Sequence, residues 1–180
     1  MIIAREKRRT NIVEYILYMY QVEDTIRACE FNMDLIEQRV IAQFQVTEKV
    51  KQDIRNWYSD LMVIMYQEGV KDTGHISMLT SLSNDLYSLH YKLIHEIQDN
   101  KYLEQYAWAM PNIRAFESRI GKTPKHEIDT CLTAMYALLL LRLQKKKVSR
   151  ETMEAMQTFS NLLALLGNWY RKMEEGKLEV

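Results

Sequence analysis

Apolar residues recur three and four positions apart along most of this chain, the spacing that aligns side chains on one face of an α-helix. The clearest stripes are Val50, Ile54, Trp57, Leu61, Ile64; Leu79, Leu82, Leu86, Leu89, Leu93; and Met156, Phe159, Leu163, Leu166, Tyr170, Met173. The same spacing on successive helices is typical of a bundle whose helices cross at shallow angles.

Capping and stop signals divide the chain into about seven helices. The expected helix starts lie at or near Asn11, Asn32, Thr47, Thr73, Asn100, Thr123 and Ser149. Asn, Thr and Ser suit this position because their side-chain oxygens accept hydrogen bonds from the first backbone N–H groups of a helix. Gly69 is expected to end the third helix, and Pro111 is expected to break or kink the fifth.

Scarce turn residues support the same fold class. The chain has 5 Gly and 2 Pro in 180 residues, whereas folds with many strands need both at their turns. We predict an all-α single domain over residues 1–180, a bundle or array whose short linkers make successive helices mostly antiparallel. The first, sixth and last helices have the widest apolar faces and should form the inner layer. Residues 1–10 are expected to form a basic N-terminal arm, and residues 175–180 a frayed tail.

Charge and cysteine content limit the binding partners and the cellular compartment that we expect. Lys and Arg number 24 and so do Asp and Glu, so no net field favours nucleic acid or an anionic membrane. Two local basic clusters, Arg5 to Arg9 and Arg142 to Arg150, leave weak nucleic-acid binding as an open alternative. Cys29 and Cys131 are too few for a disulfide framework, which is typical of a reducing compartment. We therefore expect a cytoplasmic protein, and its longest apolar run is too short to cross a membrane.

The first predicted helix carries the most informative polar cluster. Between Tyr15 and Arg27 it is apolar on most of its circumference, yet Glu23, Asp24 and Arg27 fall within about one turn. Arg27 follows the two acids at helical spacing, so a local salt bridge is geometrically easy. One interpretation is structural, an ion pair at the edge of the core that orients neighbouring helices. The other is functional, a pocket floor with Tyr20 as a hydrogen-bond donor.

Arg142 is the second candidate, because it interrupts a run of leucines in the sixth predicted helix. A buried arginine needs a partner, and its planar fork suits a carboxylate. We expect Arg142 to be largely buried and bidentate to Glu23 or Asp24. The alternatives are that it reaches solvent at the helix end, or that it binds an anionic ligand.

The sequence contains no familiar catalytic or cofactor motif. Glu-x-x-His, His-Glu-x-x-His and Cys-x-x-Cys are absent, so we expect no bound metal. The glycine patterns that bind nucleotide phosphates are absent too, and so is the Gly-x-Ser-x-Gly elbow. No cofactor and no catalytic residue can be assigned from these patterns.

Three functions stay open at this point. The leading hypothesis is a non-enzymatic interaction or scaffold protein that self-associates, using Leu162, Leu165 and Trp169 as an additional apolar stripe on the last helix. The second is a small-molecule binder or enzyme that uses the polar cluster of the first helix and Arg142, with Glu23 as the candidate base. The third is a weak nucleic-acid binder that uses the basic clusters.

Two segments of the chain resemble a known family. They are residues 3–28, IAREKRRTNIVEYILYMYQVEDTIRA, and residues 138–152, LLLLRLQKKKVSRET. Both are similar to a family of small cytosolic proteins from Bacteroidetes that is catalogued as a domain of unknown function. The resemblance implies an all-α bacterial protein and covers essentially the whole chain. It implies no activity, substrate or catalytic residue.

Overall fold

The computed structural model describes residues 2–120 and 124–177, and these fold into eight α-helices and one short 3-10 turn, with no strand. The helices are α1 (Ile2–Thr10), α2 (Ile12–Ala28), α3 (Met33–Arg39), α4 (Glu48–Gln67), α5 (Ser77–His95), α6 (Asn100–Glu117), α7 (Glu127–Leu143) and α8 (Arg150–Glu174), and the 3-10 turn is Ile41–Gln43. The predicted all-α bundle is confirmed.

The predicted capping residues explain several helix boundaries. The side chain of Asn11 accepts hydrogen bonds from the backbone N–H groups of Val13 and Glu14 at the start of α2. The other confirmed caps are Asn32, Thr47 and Ser149. Gly69 follows the end of α4 with φ at +70°, a left-handed conformation that glycine adopts at little cost. Local sequence therefore determines these boundaries.

The start of α5 differs from the prediction, because α5 begins at Ser77 and not near Thr73. No side chain next to the helix start accepts its first N–H groups. The carboxylate of Glu68 does so instead, with Oε2 accepting from the Ser77 N–H at 2.5 Å and Oε1 from the Ser77 hydroxyl at 2.8 Å. The cap comes from the end of the preceding helix, which a local pattern does not reveal.

The boundaries of α7 and the path of α6 could also be determined only from the structure. α7 begins at Glu127, and its cap is His126, whose Nδ1 accepts from the Asp129 N–H at 3.0 Å. The predicted cap, Thr123, lies outside the described residues. α6 runs without a break through Pro111, although proline removes one helical hydrogen bond.

The predicted N-terminal arm is a helix. In α1 the side chain of Ala4 is buried, and Arg8 forks onto the carboxylate of Glu174 in α8 with N–O distances of 3.0 and 2.8 Å. Lys7 pairs with Glu14 at 2.7 Å. Two of the cations that suggested a solvated arm are therefore paired with acids of α2 and α8, which the local sequence could not show.

The inner layer contains the three helices predicted for it and one more. α8 packs against α2, α5, α6 and α7, and α7 also contacts α2, α5 and α6. Of these, α2, α7 and α8 are the first, sixth and last predicted helices. α5 belongs to the same layer, since Leu79, Leu86 and Leu93 are fully buried. Within the described residues, no helix combines the length and the apolar content needed to cross a membrane.

The additional apolar stripe predicted on the last helix is used inside the fold. Leu162 is fully buried, and Leu165 and Trp169 are half-buried and packed against the core. α8 lies at the centre of the bundle, so it needs apolar side chains on more than one face. Most of the surface of this stripe is therefore covered within the fold itself.

Candidate functional site

The carboxylate of Glu23 lies fully buried in α2. A buried carboxylate is costly unless donors satisfy its oxygens. Oε1 accepts from the backbone N–H of Ile76 at 2.9 Å, and Oε2 accepts from Nδ1–H of His75 at 2.5 Å. Both donors belong to the segment that leads into α5, so α2 holds that segment in place. Glu23, the predicted candidate base, is thus a buried hydrogen-bond acceptor.

Arg27 holds the same segment from one turn further along α2. Its Nη1 pairs with Oδ1 of Asp24 at 2.8 Å, which is the local salt bridge that the spacing predicted. Its Nη2 donates to the backbone carbonyls of Val70, at 3.0 Å, and Gly74, at 2.5 Å. Gly74 has φ at +90°, where other residues are strained. Arg27 and Glu23 together position His75.

Aromatic rings enclose the Glu23–His75 pair. Tyr20 stacks on the His75 imidazole with 3.6 Å between ring centroids and 13° between planes. Tyr136 of α7 meets Tyr20 edge-on at 5.6 Å, and its hydroxyl donates to Oδ2 of Asp24 at 2.6 Å. Burial raises the pKa of the Tyr20 and Tyr136 hydroxyls, and the bond to Asp24 raises that of Tyr136 further. Both hydroxyls therefore stay protonated at neutral pH.

A cavity of about 530 Å³ lies beside this ring stack. Tyr20 and His75 form part of its wall, together with residues of α5 and α7 and the segment before α7. Its other polar lining residues are Thr80, Ser83, Asn84, Lys125, Asp129 and Thr133. Pockets of this size accommodate small organic molecules, and a few convergent polar groups orient them.

His75 is a lining residue of the cavity, and one of its ring nitrogens has no partner in the described part of the chain. Because its Nδ1–H donates to Glu23, the neutral imidazole carries its lone pair on Nε2. Within the described residues, Nε2 forms no hydrogen bond, and the side chain is 33% exposed. The stacked ring of Tyr20 and the carboxylate of Glu23 fix the orientation of the imidazole. Nε2 is therefore a preoriented acceptor for a hydrogen bond or a proton.

Ser83 and Asn84 supply the complementary polar groups. Ser83 is one of the lining residues, but its hydroxyl is buried and has no hydrogen-bond partner in the described part of the chain. Asn84 Oδ1 lies 3.3 Å from Nε2 of His126. Since Nδ1 of His126 already accepts the Asp129 N–H, its Nε2 is the protonated nitrogen and donates to Asn84. The amide NH2 of Asn84 is thereby left as a donor.

The arrangement suits binding and proton transfer better than covalent catalysis. A serine nucleophile needs a hydrogen bond to its base, and the Ser83 hydroxyl has none to His75. Among the described residues, no three His, Cys, Asp or Glu side chains are grouped so as to hold a metal ion. Nε2 of His75 is a ring nitrogen without a hydrogen bond among the described residues, so it can accept a proton.

Arg142 lies outside this site, and the prediction that it is buried and bidentate to an acid is wrong. Its side chain is exposed, and Nη2 lies 4.0 Å from Sδ of Met153. Arg142 belongs to the last turn of α7, where a long side chain reaches solvent. The α7 residue that reaches Asp24 is Tyr136, nearly two turns earlier.

A second histidine lies in a closed network. Nε2 of His90 lies 3.1 Å from Oε2 of Glu127, and Nδ1 lies 2.6 Å from the hydroxyl of Tyr102. The Tyr106 hydroxyl donates to the other Glu127 oxygen at 2.9 Å. Burial lowers the pKa of His90, although its bond to Glu127 acts in the opposite direction. Neutral His90 donates through Nε2 and accepts through Nδ1, so both nitrogens have internal partners.

The family model described as a domain of unknown function, DUF4924, matches residues 1–177. The chain belongs to this family. The match includes both segments that carry the sequence resemblance. Neither the curated proteins nor the solved structures include a significant match to this chain.

Sequence reasoning found Tyr20 and Glu23 but missed His75 and Ser83. His75 lies between helices, where hydrophobic periodicity gives no information. The only indication of such a partner was that a buried acid needs hydrogen-bond donors. Ser83 left a clearer signal, since it is a polar residue at an apolar position of the α5 stripe, four residues after Leu79.

Proposed function

We propose that this protein binds a small polar organic molecule in the cavity beside His75. The pairing of buried Glu23 with His75 at the cavity wall carries the proposal. A carboxylate bound to one imidazole nitrogen fixes the ring and its tautomer, which makes the other nitrogen a defined contact for a ligand.

The lining groups favour a neutral or zwitterionic ligand. The amide of Asn84 and Lys125 can donate hydrogen bonds, whereas Nε2 of His75 and the carboxylate of Asp129 can accept them. Among the described lining residues there are one cation, Lys125, and one anion, Asp129, so their charges together do not select for an anion. The arginines that suggested an anionic ligand, Arg27 and Arg142, are not among the lining residues. In this proposal His75 exchanges hydrogen bonds or a proton with the ligand, and Glu23 is the positioning residue.

A thermal-shift screen of small polar metabolites tests this function on the parent chain and on His75→Ala. A ligand at one hundred times its Kd stabilises the native state by about 2.7 kcal/mol, which raises Tm by several degrees. We expect the His75→Ala chain to lose most of that shift. His95→Ala is the matched control, because His95 is an exposed histidine of α5. Hits that stabilise His75→Ala as much as the parent would contradict the proposal.

Self-association is a second candidate, supported by apolar side chains at the end of α4. Val63 is 52% exposed and Tyr66 is 72% exposed, and their spacing of three puts them on neighbouring positions of one helix face. A homo-oligomer would cover them. Light scattering at micromolar concentration tests this, with Val63→Gln/Tyr66→Gln as the variant expected to be monomeric. A monomeric parent chain would contradict it.

We also infer a cytoplasmic location, which is supported by the two buried free cysteines, Cys29 and Cys131. An origin in Bacteroidetes rests on the sequence resemblance alone. Fractionation of cells that express the natural gene tests the location.

A further inference from the structure

The C-terminal part of α7 presents leucines that the fold leaves partly uncovered. Leu143 is 56% exposed, and Leu139 and Leu140 are half-buried. Their spacing places them on one side of the helix. All three stand outside the buried core and outside the half-buried side chains packed on it. We call Leu139, Leu140 and Leu143 the leucine face.

The leucine face is additional to the side of α7 that already packs in the bundle. Leu132 and Leu138 of the same helix are buried and supply its core contacts. Apolar residues beyond the core-facing stripe of a helix indicate a second apolar partner. Within the described fold, the leucine face is therefore only partly covered, and Leu143 is its most exposed member.

Four cations lie at or just after the C-terminal end of this face. Arg142 lies within it along the helix, and Lys145, Lys146 and Lys147 follow directly; all four are exposed. None of the four forms a salt bridge with the described acids, whereas the next cation, Arg150, pairs with Glu154 at 2.8 Å. The C-terminus of a helix carries roughly half a negative charge. That dipole can account for one nearby cation but not for four.

We propose that the leucine face and these four cations bind an acidic amphipathic helix of another protein. The leucines would contact the apolar side of that helix, and the cations would contact the carboxylates that flank it. This proposal concerns a different surface from the His75 cavity and does not depend on the cavity's ligand.

Charge and shape favour this partner over the other candidates. A second copy bound through the same face would bring two groups of four cations together across the two-fold axis. A membrane would need a longer amphipathic surface, because three leucines insert little area and the rest of α7 is packed in the bundle. Nucleic acid would pair with the cations but would leave the leucines without apolar contacts, since proteins contact nucleic acid mostly at its phosphates.

Fluorescence anisotropy with two labelled model peptides tests the proposal on the full chain. One peptide is an 18-residue helix, about 27 Å long, with leucines on one side and glutamates on the other. The second has lysine in place of every glutamate. We expect the acidic peptide to bind at least tenfold more tightly than the basic one, and its affinity to fall as salt increases. Leu140→Gln/Leu143→Gln should weaken binding at least tenfold.

Matched controls separate this surface from general stickiness. Val63→Gln/Ile64→Gln removes exposed apolar side chains of α4 and should leave peptide binding unchanged. Leu143→Gln alone changes only an exposed side chain, so it serves if the double variant melts early.

The proposal is overturned if the acidic and basic peptides bind alike, or if the leucine variants bind like the parent. It is also overturned if vesicles of 70% phosphatidylcholine and 30% phosphatidylserine, or a 20-nucleotide DNA, bind more tightly than the acidic peptide. A dimer that the leucine variants abolish would assign the face to a second copy.

Discussion

The two histidine–carboxylate pairs of this protein differ in which partner is buried. In one, the carboxylate of Glu23 is fully buried and His75 is 33% exposed. In the other, the ring of His90 is 2% exposed and the carboxylate of Glu127 is 36% exposed. The buried partner of each pair has its polar atoms satisfied inside the protein. The exposed partner decides what the pair can do, and only His75 offers a ring nitrogen to a cavity.

The difference separates a site from a structural support. Both nitrogens of His90 are bonded internally, and tyrosines complete the network at each end. Such a closed network contributes stability and a unique arrangement. The His75 pair leaves Nε2 without a hydrogen bond, and the nearby lining residue Ser83 has a buried hydroxyl without a partner among the described residues. Unsatisfied polar groups of this kind reduce stability and are typical of sites where a ligand supplies the missing partner.

The largest expected effect concerns the buried acid. Glu23→Leu leaves the Ile76 N–H and the His75 ring without their acceptor, which should cost about 2–4 kcal/mol of the free energy of unfolding. Glu127→Leu should cost less, because Glu127 is partly exposed and water can replace it. Urea denaturation measures both. Glu23→Gln keeps an acceptor at the same place and should lose less than Glu23→Leu. Equal losses at Glu23 and Glu127 would show that the two pairs are energetically alike.

The second effect is a loss of stability at acidic pH. Burial lowers the pKa of both His90 and His126 in the native state below the value of about 6.5 in an unfolded chain. Between about pH 6.5 and the lowered values, the unfolded state binds more protons than the native state. Stability is therefore full above pH 6.5 and falls as the pH decreases through that window, by up to about 1.4 kcal/mol per pH unit for each group.

Urea denaturation at pH 7.5, 6.5 and 5.5 measures this slope. His126→Asn should reduce it, because asparagine caps a helix without titrating. A parent chain that is equally stable at the three pH values would contradict the assignment of both rings as neutral acceptors.

Removing one hydroxyl near each histidine should change the free energy of unfolding by a smaller amount, and in opposite directions at the two sites. Ser83→Ala removes a buried hydroxyl without a partner, so we expect a gain of roughly 1 kcal/mol in the free energy of unfolding. Tyr102→Phe removes a hydroxyl bonded to His90 and should lose about 1 kcal/mol. Thermal and urea unfolding measure both changes. A loss of stability in Ser83→Ala would mean that its hydroxyl has a partner in solution.

Arg142→Leu should have the smallest effect, within about 0.5 kcal/mol of the parent chain, because the side chain is exposed and lacks an acidic partner. Combined with a large effect of Glu23→Leu, this result would show that Glu23 depends on His75 and not on Arg142. The measurement is thermal unfolding at neutral pH. A loss of more than about 2 kcal/mol in the free energy of unfolding would instead support the buried ion pair that the sequence suggested.

Sequence alone was sufficient for the fold class and for most helix boundaries. Periodic apolar residues and side-chain caps such as Asn11 and Ser149 act within one or two turns, so they can be recognised without the fold. The salt bridge between Asp24 and Arg27 was predictable for the same reason. Its spacing of three residues places both side chains on one side of α2.

Only the tertiary structure decided what the polar residues do. Glu23 meets His75 across 52 positions of sequence, and Tyr136 meets Asp24 across 112. Arg8 is neutralised by Glu174, from the opposite end of the chain, and Arg142 reaches solvent because its helix ends there. Helical periodicity tells which side of a helix is buried, but it carries no information about which distant side chain lies opposite. Partner choice depends on how the helices pack, and in this protein partner choice distinguishes the candidate site from the structural network.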